Sequence, residues 1–378
     1  VRGEADSRHA TTTIRLDRPD RPLARAVEAY SHRMTTGIRL GRTNSASATP
    51  IPPPPCGYEP PMKIGYFLSS EEYSPRELFD QARLAREAGF SGLWISDHYH
   101  PWNDVQGESA FVWSIIGALS QTVPGMPITT GVTAPTIRIH PAILAQAVAT
   151  TAVITGGNFR FGIGTGEALN EHILGDAWPE ADVRLEMMEE AVEIMRELWT
   201  GKQVSHYGDH YVVENARIYT LPEKTPEVYV SAFGPKAAGV AARIGDGFCT
   251  VGPEKELIEQ FRKDAKDGAI VQAGLKVRYS SDAAEARATA HKIWPNDALP
   301  GELPQILPTP AHFEQASELV TEEMVAETIA CGPDMDLHLE RIQAFADAGV
   351  DELYVQQVGG GYEEFFAAYR EHVLPKYH

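Results

Sequence analysis

The sequence predicts a (β/α)8 TIM barrel with insertions, on three observations. From Met62 onward, apolar strand-like runs alternate with helical runs, a pattern that implies a parallel sheet. The alternation repeats eight times in about 310 residues, which suits a closed barrel better than an open, doubly wound sheet. No Gly-x-Gly-x-x-Gly follows the first strand, so a dinucleotide-binding doubly wound unit lacks its fingerprint.

The first strand is Lys63-Ile64-Gly65-Tyr66-Phe67-Leu68. Ser74-Pro75-Arg76-Glu77 begins a helix with a cap residue and a proline in the first turn. Leu78, Ala82, Leu84, Ala85 and Ala88 give that helix its apolar stripe, and Gly89 ends it. Gly92–Ser96 is the second strand, Ser109–Ser120 a helix, Ile128–Ala134 the third strand and Pro141–Ile154 a helix. Asn158–Gly164 is the fourth strand and runs into a glycine-rich turn, and Glu186–Trp199 is a helix. Residues 201–226 resemble an inserted hairpin, with Tyr211-Val212-Val213 and Ile218-Tyr219 as its strands. Glu227–Ala232, Gly247–Val251, Leu275–Ser280 and Glu352–Val358 are strands five to eight. Helices are expected at Lys236–Ile244, Lys255–Asp267 (stopped by Gly268), Ala283–Ile293, 321–330, 335–348 and Tyr362–Val373. The proline-rich stretch 295–318 is expected to be an irregular covering loop.

Residues 1–61 differ from this pattern. They hold nine Arg, no Lys and six acidic residues, and end near Pro52-Pro53-Pro54-Pro55, a tract that joins neither helix nor central strand. They are expected to be a disordered extension of a single barrel domain spanning 62–378. A translation start upstream of the true one and a genuine flexible tail both account for them. They contain no apolar run typical of a secretory signal, and their acidic residues speak against a transit peptide.

The chain of 378 residues is 43% hydrophobic and carries a formal net charge of −19, which speaks against nucleic acid or an anionic membrane as partner. Cys56, Cys249 and Cys331 lie far apart, without metal-site spacing, as expected of a reduced cytoplasmic protein. A small-molecule substrate is the partner this composition allows.

In a barrel all strands end at one mouth, so separated motifs become one site. Ser96-Asp97-His98-Tyr99-His100-Pro101-Trp102 follows the second strand and joins proton-transfer groups to a large aromatic. A polar loop with a capping Asp and an anchoring Trp reads equally well. Gly131-Val132-Thr133-Ala134 ends the third strand, and Gly162-Ile163-Gly164-Thr165-Gly166-Glu167 the fourth. These glycines either admit a planar ligand close to the backbone or make a tight turn. Ala232-Phe233-Gly234-Pro235 opens a helix whose free amides suit a phosphate, or simply start the helix. Cys249-Thr250 reads as a buried strand end.

From Met62 to about Leu374 the chain resembles the luciferase-like family of (β/α)8 flavin and deazaflavin enzymes. Ser96-Asp97-His98 with Pro101-Trp102, then Gly164-Thr165-Gly166-Glu167-Ala168-Leu169-Asn170-Glu171 about 70 residues later, are similar to the coenzyme F420-dependent glucose-6-phosphate dehydrogenase group. Ala177-Trp178-Pro179 and Ala241-x-Arg243-x-Gly245-Asp246-Gly247-Phe248 add to the match.

The resemblance implies a homodimeric dehydrogenase in which hydride passes from a substrate carbinol carbon to C5 of the oxidised deazaflavin. His98 would take the hydroxyl proton, help worth ~10²–10⁴-fold. Trp102 would favour the imidazolium through its ring face. Glu167 would supply or stabilise a proton near N1 of the reduced cofactor; without the resemblance it reads as a helix N-terminal carboxylate. Asp97 would hold the cofactor or orient the imidazole. Gly131-Val132 matches a non-prolyl cis peptide behind the ring. Asn170, Ala134, Thr165 and Gly166 would contact the head, and Ala232, Phe233 and Gly234 the phosphate, although Phe233 stands where a small residue is expected. At the substrate end Thr250 is kept, but Pro253 replaces an expected phosphate-binding Lys, leaving Lys255, Lys276 and Lys292 as substitutes. Arg278 is a further candidate, and solvated helix faces account for these cations as well. An alcohol, sugar or lactol is therefore favoured over glucose 6-phosphate. The alternatives are an FMN-dependent monooxygenase of the same fold and a non-catalytic flavin-binding protein.

Overall fold

The computed structural model describes residues 62–377. The 1–61 extension lies outside them. Eight parallel strands close into a barrel: β1 (Lys63–Leu68), β2 (Leu93–Ile95), β3 (Ile128–Thr130), β4 (Phe159–Ile163), β7 (Glu227–Ser231), β8 (Gly247–Thr250), β9 (Ile270–Arg278) and β11 (Glu352–Gln357). Closure comes from β9, which pairs with both β8 and β11, and from β11, which pairs with β1. A two-residue strand β10 (Ala330–Cys331) adds to the end of β9.

Helices α1 (Pro75–Ala88), α2 (Val112–Thr122), α3 (Pro141–Ile154), α5 (Ala181–Leu198), α6 (Pro235–Ile244), α7 (Lys255–Asp264), α8 (Ala283–Ile293), α12 (Met335–Asp347) and α13 (Tyr362–His372) link or follow the barrel strands. Glu77 accepts from both the amide and hydroxyl of Ser74 at the start of α1, and Gly89 ends the helix at φ 104°, where a side chain is disfavoured. Among the described residues no helix is long and apolar enough to cross a membrane.

The sequence-predicted elements recur, but α5 starts at Ala181 rather than Glu186, the third strand ends at Thr130 rather than Ala134, and four further corrections apply. The hairpin pairs β5 (Val204–Tyr207) with β6 (Val212–Ala216), so Ile218-Tyr219 is not one of its strands. The seventh barrel strand starts at Ile270 rather than Leu275. Gln272 and Gly274 interrupt its apolar pattern because they face the barrel interior, where Gln272 accepts from Trp94 Nε1 at 2.8 Å. Helix α7 stops at Asp264, four residues before Gly268. The stretch 295–318 is not irregular: it holds a 3-10 turn at Pro295–Ala298, a short α9 (Leu303–Ile306) and α10 (Pro310–Ser317), each opened by proline in its first turn. A further α11 (Glu322–Thr328) follows.

Side chains alternate across each strand, so one set fills the barrel and the other packs under the helices. The interior set includes Trp94, Tyr229, Cys249 and Tyr354. Trp94 and Tyr354 stack with centroids 5.1 Å apart. Gly65 leaves room for this pair, since a Cβ there would lie 2.4 Å from the Tyr354 ring. Towards the N-terminal ends of the strands Glu352 pairs with Arg160 at 2.6 Å and Lys63 at 3.3 Å. The barrel is thus filled below, and its chemistry is confined to the C-terminal mouth.

Candidate active site

The mouth is built from the residues that follow β1, β2, β3, β4, β7 and β11. His98, after β2, is held from three sides. Its Nε2 lies 3.3 Å from Glu71 Oε1, its Nδ1 3.1 Å from Asn170 Nδ2, and the same Nδ1 3.2 Å from the His100 carbonyl. Asn170 Oδ1 accepts from the Tyr99 and His100 amides, which turns Nδ2 towards the imidazole. Two neutral tautomers fit these partners: one accepts at Nδ1 from Asn170 and donates from Nε2 to Glu71, the other donates from Nδ1 to the His100 carbonyl and keeps the Nε2 lone pair. A doubly protonated ring is also accommodated, with Nδ1 donating to the His100 carbonyl.

Glu71 escaped the sequence reading, because Ser69-Ser70-Glu71-Glu72 looked like an ordinary polar turn after β1. Its Oε2 accepts from Ser96 Oγ at 2.6 Å and Ser69 Oγ at 3.0 Å. The useful signal was positional: a carboxylate just past the end of a strand of the proposed barrel.

Glu72 lies in a different setting. Its Oε1 accepts from Trp294 Nε1 at 2.5 Å and Gln356 Nε2 at 2.6 Å, and its Oε2 from the Gly359 amide at 2.8 Å. Burial outweighs these donors and pushes the carboxyl from 4.5 up to about 7. Between those values the native protein keeps a proton that the unfolded chain has released, so stability falls as pH rises through the window, by up to about 3 kcal/mol. Glu72→Gln removes that loss. In urea unfolding at about pH 5 and about pH 8, the variant gains on the wild type by roughly this amount at the higher pH. Parallel pH dependences for the two proteins would show an ordinary Glu72.

Trp102 packs its ring against His98, centroids 4.9 Å apart, and its other contact is an edge-to-face Phe313 at 5.1 Å. Its loop is tied to the end of α8, where the Asn103 and Gln106 side chains both donate to the Ile293 carbonyl at 3.0 Å. Glu167 is half-buried at the start of the one-turn α4 (Ala168–Glu171), 3.4 Å from Asn170 Nδ2. His98, Trp102, Glu167 and Asn170 thus form one connected group.

Of the two roles expected of Asp97, holding the cofactor and orienting the imidazole, the second is corrected. Asp97 does not contact the imidazole. Its buried carboxylate accepts from Thr133 Oγ1 at 2.7 Å and Arg138 Nη2 at 2.9 Å. Arg138 also pairs with Glu171 at 3.4 Å and gives it a backbone amide at 2.7 Å. Burial alone would lower the Arg138 pKa, but the two carboxylates outweigh it and raise it. Burial raises the Glu171 carboxyl in spite of Arg138. This triad ties the ends of β2, β3 and β4 together, and the imidazole is positioned by Glu71 and Asn170 instead.

Beside this group lies a ledge made largely of backbone and small side chains. The Gly131–Val132 peptide is cis, as the resemblance implies. A Cβ on Gly131 would come within 2.9 Å of Trp94, and one on Gly164 within 2.9 Å of Val132 Cγ2. Gly166, at φ 82°, would place a Cβ 2.9 Å from both Ala134 and Glu171. Thr165 is half-buried beside it, and Ala134 and Ala232 are buried. Phe233 turns its side chain to solvent at 61% exposure, so its size does not block the backbone there. Gly234 caps α6 with no side-chain hydrogen bond and nothing within 4 Å of a Cβ position.

The proposed substrate cations separate. Lys276 reaches the mouth but is paired with Asp297 at 2.7 Å. Arg278 donates to the Val358 and Gly360 carbonyls and pairs with Glu285. Lys255 is exposed on α7, 4.0 Å from Glu259, and Lys292 is exposed on α8. Thr250 is buried and bonds only within its own turn, with Gly252.

Residues 62–352 match the family model described as luciferase-like monooxygenase. An F420-dependent glucose-6-phosphate dehydrogenase of Microbacterium testaceum (strain StLB037) is 35% identical over 328 residues, 84% of this chain and 97% of the relative. One of Rhodococcus erythropolis (strain PR4 / NBRC 100887) is 33% identical, covering 83% and 97%. Among solved structures, an F420-dependent secondary alcohol dehydrogenase in complex with an F420-acetone adduct superposes with a TM-score of 0.79 at 29% identity, over 84% of this chain and 99% of the other. The monooxygenase RslO1 from Streptomyces bottropensis, with a TM-score of 0.65 at 20% identity over 84% of this chain and 100% of the other, shares the fold. With the barrel closed as predicted and these matches spanning it, the chain belongs to the luciferase-like monooxygenase family.

Proposed function

We propose that this chain is an F420-dependent dehydrogenase acting on the CH–OH group of a small alcohol. The observation that carries the reading is the joining of His98, Glu71, Trp102 and Glu167 at one barrel mouth beside the cis Gly131–Val132 ledge. The names of the relatives at 33–35% identity agree with it.

The residues present fit a deazaflavin. Gly131, Gly164 and Gly166 let Trp94, Val132 and Ala134 pack directly on their backbone, so the ledge is lined by backbone and small side chains, and Gly234 leaves open space at the start of α6. Val132, Ala134, Thr165, Gly166 and Asn170 would hold that head. The backbone of Ala232, Phe233 and Gly234, at the uncapped start of α6, would meet the phosphodiester. When bound, the cofactor supplies a ring carbon that accepts hydride and, once reduced, reacts poorly with dioxygen.

The protein's part is positioning and proton handling. His98, in the tautomer that donates from Nδ1 to the His100 carbonyl and keeps the Nε2 lone pair, takes the hydroxyl proton of the substrate at Nε2 as the carbinol hydrogen leaves with its electron pair. Glu71 faces the imidazolium so formed, and the Trp102 ring face adds a cation–π contribution. Asn170 keeps the ring in register, and Glu167 would supply or stabilise a proton on the cofactor side. Action as a cytoplasmic homodimer belongs to the same proposal and is carried by the resemblance.

A difference absorbance titration with F420 and with FMN tests the assignment. F420 is expected to bind saturably, with its visible absorbance lost when an alcohol substrate is added. Tight FMN binding without F420 binding would favour a monooxygenase and sink the reading.

A further inference from the structure

The end of the mouth beside His98 has a charge pattern of its own. Side-chain alternation along β9 sends Gln272 and Gly274 into the barrel, so Lys276 projects into the mouth two residues further on. It lies in register with Gln356 on β11. Its Nζ is 2.7 Å from Asp297 Oδ1 and 4.2 Å from the centre of the Trp294 ring. Trp294 donates to Glu72, whose chain neighbour Glu71 faces His98. The Lys276–Asp297 pair is therefore joined through Trp294 to the cluster that holds Trp102, the residue packed against His98. Trp102, Trp294, Leu299 and Ala298 share one apolar cluster there.

We propose that the substrate is an uncharged alcohol, and that Asp297, by neutralising Lys276, excludes phosphorylated and other anionic substrates. The proposal rests on the dehydrogenase reading and specifies its substrate class. An anion leaving water needs cations or several donors in return. Three cations at the strand ends are already paired with carboxylates: Arg138 with Asp97 and Glu171, Arg278 with Glu285, and Lys276 with Asp297. A phosphate drawn to Lys276 would have to displace Asp297 and leave that carboxylate unpaired against a dianion. Like charges brought together without water repel strongly. A hydroxyl beside an aromatic wall meets no such opposition.

The test begins with a fluorescence titration of the full chain with F420. Turnover is then compared for neutral against anionic probes: 2-propanol and cyclohexanol against glucose 6-phosphate, and glucose against glucose 6-phosphate. The wild type is expected to favour a neutral alcohol over glucose 6-phosphate by at least about tenfold in kcat/KM. Asp297→Asn, which leaves Lys276 with an uncharged neighbour of the same shape, is expected to raise the ratio of glucose 6-phosphate to neutral-alcohol kcat/KM by about tenfold. A wild type that prefers glucose 6-phosphate overturns the proposal while leaving the dehydrogenase reading standing. An unchanged ratio in folded Asp297→Asn overturns Asp297's role. If the variant does not fold, the wild-type comparison alone decides the substrate charge. Absence of F420 binding, or of turnover with every probe, overturns the dehydrogenase reading and this proposal with it.

Discussion

Replacing His98 with alanine is expected to lower kcat for alcohol oxidation by about 10²–10⁴-fold, with the loss concentrated in kcat rather than KM. The imidazole is the one group at the mouth that has a carboxylate on one nitrogen and an amide donor and a carbonyl on the other. Its protonated form keeps Glu71 at Nε2 and the His100 carbonyl at Nδ1, giving up only the Asn170 donor. Removing it leaves the ledge and its glycines untouched, so F420 binding should persist. Single-turnover kinetics on F420 absorbance separate the two effects. A variant with unchanged turnover would remove His98 as the base.

The second large effect is on stability. Arg138→Ala is expected to cost about 3–5 kcal/mol in urea unfolding, because it strands two buried carboxylates. The side chains of Arg138, Asp97 and Glu171 are only 6%, 0% and 1% exposed, so water cannot take the place of the guanidinium. Lysine at the same position restores charge but not the fork that reaches both partners, and should recover only part of the loss. A loss under about 1 kcal/mol for the alanine variant would mean that the triad is solvated like a surface pair.

Much of the candidate site was legible in the chain itself. His98 and Trp102 stand in one short run after a recognisable strand, and Gly164–Asn170 in another. Both lie where a parallel barrel gathers its chemistry. The cis peptide at Gly131–Val132 followed from the resemblance rather than from spacing. Glu71, Arg138 and Asp297 were not legible. Each is an ordinary charged residue in its own segment and acquires meaning only from a partner on another strand or turn. Asp97 shows the same limit from the other side: its nearness to His98 in sequence suggested a shared role, but its side chain turns to Thr133 and Arg138.

What the sequence by itself determined is the order of elements and the residues at the strand ends. Helix caps such as Ser74 with Glu77, alternation along strands and glycine stops act over a few residues and leave local marks. What only the tertiary structure decided is which charges meet: Glu71 with His98, Asp97 with Arg138, Lys276 with Asp297. Those pairings exist because the barrel closes and brings distant strand ends to one mouth, where burial makes each charge need its partner. The early start of β9 belongs with them, since Gln272 and Gly274 break the apolar pattern for the sake of contacts inside the closed barrel.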